Sequence, residues 1–65
     1  IMKYMVKEIC FNGKRNDRPF YHRYSCYSNN QKIIYDDLEK AIRDAESTVN
    51  TPHNGVISYS IEEVK

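Results

Sequence analysis

In this 65-residue chain the residues able to do nucleophilic or metal chemistry are Cys10, Cys26, His22 and His53. His22 and Cys26 fall four apart in FYHRYSCY, a run whose aromatic density favours a β-strand. On a strand that spacing puts both on one face about 13 Å apart, at ~3.3 Å per residue, which is too far for direct proton exchange. No sequence spacing brings His53 to either of them. A zinc site built from the four meets the same objection, because it lacks the close C-x-x-C or H-x-x-x-H pairing that sets two ligands at once. Both cysteines read as small buried hydrophobes, and Gly13 and Gly55 as isolated turn glycines with no phosphate-cradling loop. The expectation is a non-enzyme with no catalytic residue, metal or cofactor.

Binding chemistry is better represented. Lys14, Arg15, Arg18 and Arg23, with His22 nearby, are interleaved with Tyr21, Tyr24 and Tyr27. Basic side chains among aromatics can track a phosphate backbone and stack bases, which makes a small nucleic-acid-binding domain one reading. Tyrosine and arginine are also the side chains most enriched at protein interface hot spots. On that second reading Tyr21, Arg23 and Tyr27 are anchors, while Lys14, Arg15 and Arg18 steer an acidic partner. The plainer alternative is that the tyrosines pack the sheet and the charged hairpin tip is simply solvated.

These residues must be positioned by a small set of elements. Asp36 to Val49, DDLEKAIRDAESTV, spaces Leu38, Ala41, Ile42, Ala45 and Val49 as one stripe of an amphipathic helix. Asp36 stands where an N-cap belongs, and Glu39 can close a capping box. The helix ends by Asn50, since Thr51 precedes Pro52 and is pushed out of the α region. KYMVKEICF, residues 3 to 11, is apolar on both alternate faces and reads as a central strand. NGKRNDR is turn chemistry, so Phe20 to Tyr27 returns antiparallel. Pairing Phe11 with Phe20 sets Glu8 opposite Arg23 and Tyr4 opposite Tyr27, whereas a one-residue slip sets Lys7 against Arg23. That register places Cys10 by Tyr21 and Cys26 by Met5, so the thiols are not disulfide partners. SNNQ is a polar turn, Asn54-Gly55 a tight one, and VISYSIEEV, residues 56 to 64, a final strand with one buried face.

The elements therefore predict a single α+β domain of order ββαβ, a three-stranded sheet in order 2-1-3 with one helix on one face. Tyr4, Tyr21, Arg23 and Tyr27 are expected on the face away from the helix. An open tyrosine-bearing face suits a second surface, either another copy of the chain or a different protein.

Composition bounds this reading. A chain of this length buries only about 60% of its unfolded surface, so its stability margin is thin and homodimerisation would help. The net charge of +1 hides a polarity, because residues 1 to 32 carry seven Lys or Arg against Glu8 and Asp17, and residues 33 to 65 carry three against seven acids. No apolar run is long enough to span a bilayer, and two cysteines without a signal peptide favour a reduced, cytoplasmic setting. Ile1 reads as a cloning remnant ahead of a natural start at Met2.

A two-strand hairpin, the helix DDLEKAIRDA and the strand VISYSIEEV within some 60 residues resemble the small ββαβ proteins that bacteriophages and mobile elements encode. Some of these are anti-CRISPR or other anti-defence inhibitors that occupy a surface on a larger bacterial complex. The resemblance is one of architecture and size and covers almost the whole chain. It implies a non-enzymatic inhibitor with a protein partner, and it assigns no residue a role.

Overall fold

The computed structural model describes residues 2–13 and 17–65. Lys14 and Arg15, expected as steering charges, lie outside the described residues.

Strand β1 (Lys3–Phe11) is the middle strand of a three-stranded sheet ordered β2-β1-β3, the order its two apolar faces predict. Strand β2 (Phe20–Tyr24) runs antiparallel to it with Phe11 opposite Phe20, Cys10 opposite Tyr21 and Glu8 opposite Arg23. The charge-matched register is thus the one adopted.

The second strand was expected to continue to Tyr27, and it stops at Tyr24. Ser25 N still donates to Val6 O at 2.9 Å, after which the chain leaves the sheet. Cys26 bridges to Lys32, Tyr27 N donates to Gln31 O at 2.8 Å, and Asn30 closes the turn at φ 68, a left-handed conformation that Asn tolerates. Ile33 N then returns to Ser25 O at 3.0 Å, and Tyr35 takes the place opposite Tyr4 through reciprocal hydrogen bonds of 2.7 and 2.8 Å. Tyr4 therefore faces Tyr35 and not Tyr27, and Cys26 faces Lys32 and not Met5. Tyr35 wins the position because it fills the core, at 8% exposure, while its hydroxyl donates to Asp44 Oδ2 at 2.9 Å.

Helix α1 (Leu38–Asn50) is capped by Asp37, one residue later than expected. The Asp37 carboxylate accepts from Glu39 N at 3.0 Å, satisfying one of the orphan donors of the first turn. Gly55, at φ 77, turns the chain into strand β3 (Val56–Val64), and Phe11 N donates to Gly55 O at 2.8 Å. β3 lies antiparallel to β1, with Val6 opposite Ile61 and Glu8 opposite Tyr59. The register slips between Ile9 and Cys10, which face Ser58 and Val56, so Ile57 is a bulge residue and Val56 is turned inward.

Helix α1 packs on β1 and β3. Ala41 and Ala45, at 0% and 3% exposure, let it approach Val6 and Tyr35 closely, with Tyr4, Ile33, Tyr59 and Ile61 around them. This overturns the expected facing of the sheet. Tyr4, Tyr21 and Arg23 stand opposite or in step with Val6, Glu8 and Cys10, so they are on the helix side. The outward side of β1 is Lys3, Met5, Lys7, Ile9 and Phe11. Both alternate sets of β1 are apolar, and a helix approaching through alanines takes the more compact one.

Candidate functional site

The described members of the expected partner-binding set, Arg18, Tyr21, Arg23 and Tyr27, are distributed over the approach to β2, β2 itself and the excursion that follows it. Arg18 lies exposed ahead of β2, Tyr21 is on the helix side of β2 at 43% exposure, and Tyr27 sits on the excursion between β2 and α1 at 55%. Arg23 is committed elsewhere. Its Nε donates to Glu8 Oε1 at 2.8 Å, and that hydrogen bond raises the guanidinium further above its already high pKa.

Two adjoining clefts open on this side, of about 310 and 500 Å³, sharing Glu8, Ser25 and Thr48. The Glu8 side chain is only 5% exposed, and Asp44 at the far wall accepts from the Tyr35 hydroxyl. Burial, with Asp44 second, pushes the Tyr35 hydroxyl up to about 12. Each carboxylate is thus held by its own donor, as buried polar groups in a fold generally are. Cys26 Sγ donates to Tyr24 O at 3.0 Å, and Cys10 is buried. Among the described residues no three His, Cys, Asp or Glu side chains are grouped so as to hold a metal ion.

The other side of the sheet is uncovered by any described element. At one end Phe11 and Phe20 form a cross-strand pair, ring centroids 6.0 Å apart at 54°, each 53% exposed. Ile9 and His22 continue that patch as the next cross-strand pair, since Ile9 faces His22 in the register. Toward the middle the surface becomes polar. The Tyr24 hydroxyl donates to Glu62 Oε1 at 2.8 Å across the whole sheet, and Lys7 Nζ stands 3.6 Å from Glu62 Oε2. Lys7 and Lys32 approach the Tyr24 ring at 5.8 and 4.4 Å. The hydrogen bond to Glu62, with burial second, raises the Tyr24 pKa and keeps the hydroxyl a donor. Lys3 and Lys7 share this face with Glu62, while Asp37, Glu39, Asp44 and Glu46 belong to the helix and its cap together with Lys40 and Arg43.

Sequence reasoning paired Phe11 with Phe20 but did not expect both rings to face outward. Flanking a seven-residue turn, they read as ordinary strand ends, and nothing local told which face the helix would take.

Comparison with family models, curated proteins and solved structures finds no match. No described helix is long and apolar enough to cross a membrane.

Proposed function

We propose that the chain is a non-enzymatic protein-interaction module that docks its partner on the open sheet face. The observation that carries this reading is the Phe11–Phe20 pair, two half-exposed rings in contact on a face that no described element covers. Side by side they offer a rigid apolar anchor, and the Lys7–Tyr24–Glu62 lattice beside them supplies a polar rim. Lys3 and Lys7 favour an acidic partner surface. A module this small acts by covering a surface. The narrower form of the proposal is an inhibitor occupying a site on a larger bacterial defence or nucleic-acid-processing complex, as in the phage-encoded proteins it resembles in architecture. Its free thiols, one of them exposed, suit a reduced, cytoplasmic setting.

A tagged protein tests this by capture from bacterial lysate. The Phe11→Ser/Phe20→Ser variant should lose the captured partner with an unchanged circular dichroism spectrum, while Tyr21→Ala and Tyr27→Ala retain it. Equal capture by the phenylalanine variant overturns the reading.

The same face supports a second reading, because exposed rings beside lysines can stack bases and follow phosphates. Single-stranded oligonucleotides should then bind with a salt dependence whose log-log slope falls by about 0.7 for each lysine removed. Absence of any mobility shift at low salt removes this alternative.

A further inference from the structure

We infer that the outer edge of β3, with the flank of α1 above it, is a self-association surface, and that a second copy pairs there across a two-fold axis to give one six-stranded sheet. This surface is separate from the open face and does not depend on the function proposed for it.

The helix is set off-centre on its sheet. Ala41 and Ala45 point onto the core, whereas Leu38 is 42% exposed and Ile42 and Val49 are only half-buried. At 100° per residue, Leu38, Val49 and Ile42 lie to one side of the alanines. Glu46 belongs to that side too, and its Oε1 accepts from the hydroxyl of Tyr59 on β3 at 3.2 Å. Asp44 and Thr48, on the other side, line the cleft toward Ser25. The larger apolar residues of the helix therefore overhang the β3 edge.

Among the described residues that edge is open, since β3 pairs there only with β1. Its first six residues, VISYSI, carry no charge, proline or glycine, the composition of a strand that accepts another strand. β2, the other edge, is five residues long, follows Pro19 and carries His22 and Arg23.

Two features point to a second copy as the occupant. Antiparallel self-pairing centred on Ser60 sets Tyr59 opposite Ile61 and Ser58 opposite Glu62, so no like charges meet between the two strands. Strands ~4.8 Å apart, with α1 seated over β1 and β3, bring the two helices to about 9.6 Å, within the 8–10 Å of packed helices. Leu38, Ile42 and Val49 would meet their counterparts there.

Sedimentation equilibrium over a wide concentration range tests the inference. The expected result is a species of twice 7.7 kDa that Ile42→Lys converts to monomer with its helical signal intact, and that Phe20→Ser leaves dimeric. A monomer at every concentration overturns it, and so does a dimer that Phe20→Ser splits and Ile42→Lys does not. Should Ile42→Lys fail to fold, Ser60→Cys in a Cys26→Ser background replaces it, since Cys10 is buried. Mild oxidation should then give a covalent dimer, and its absence overturns the two-fold pairing.

Discussion

Arg23, with a half-exposed side chain, reaches across the β1–β2 pair to place Nε 2.8 Å from the buried carboxylate of Glu8. The relationship is asymmetric, because Arg23 can be solvated without Glu8 whereas Glu8 has little access to water. Arg23→Ala should therefore cost about 1–3 kcal/mol, the penalty of an unsatisfied buried polar group. Adding Glu8→Leu should recover most of that loss, since replacing both partners removes the stranded charge. Urea denaturation of the two single variants and the double variant measures both steps.

Tyr35 gives the fold an alkaline limit. Its folded-state pKa, about 12, lies above the ordinary tyrosine value of 10, so the stabilisation is complete below pH 10 and is lost as pH rises toward 12. Tyr35→Phe removes that titration together with the hydrogen bond to Asp44. Its stability should start lower at neutral pH and fall less between pH 10 and 12 than that of the parent. Chemical denaturation at stepped pH reads the difference.

The cap at Asp37 is the most local support of α1. Its carboxylate accepts from Glu39 N, so Asp37→Ala should destabilise by about 1 kcal/mol and Asp37→Asn by less, while Asp36→Ala should have little effect. Thermal melts of the three variants distinguish Asp37 from Asp36 as the cap.

On the open face, Lys3 and Lys7 should act on encounter more than on residence. Reversing both to Glu is expected to slow association with an acidic partner about tenfold at low salt, with the difference closing as salt rises. Stopped-flow or surface-based kinetics at two ionic strengths would show it, and an unchanged association rate would move the contact away from this face.

Much of this architecture was legible in the chain. The two apolar sides of KYMVKEICF made β1 central, the opposition of Glu8 to Arg23 selected the register, and the stripe from Leu38 to Val49 marked the helix, all because these are local patterns with periods of 2 and 3.6. Pro52 and Gly55 likewise placed the end of α1 and the start of β3. What the sequence by itself did not determine was which side of the sheet the helix would cover, and the side expected from it was the wrong one. Val6 with Cys10 and Met5 with Ile9 are comparably apolar, and only the close fit of Ala41 and Ala45 against Val6 and Tyr35 chose between them. That choice put Tyr21 and Arg23 beside the helix and sent Phe11 and Phe20 outward. The replacement of Tyr27 by Tyr35 opposite Tyr4 was equally a tertiary decision, because a hydroxyl that reaches Asp44 while its ring fills the core is a long-range fit that no local spacing encodes.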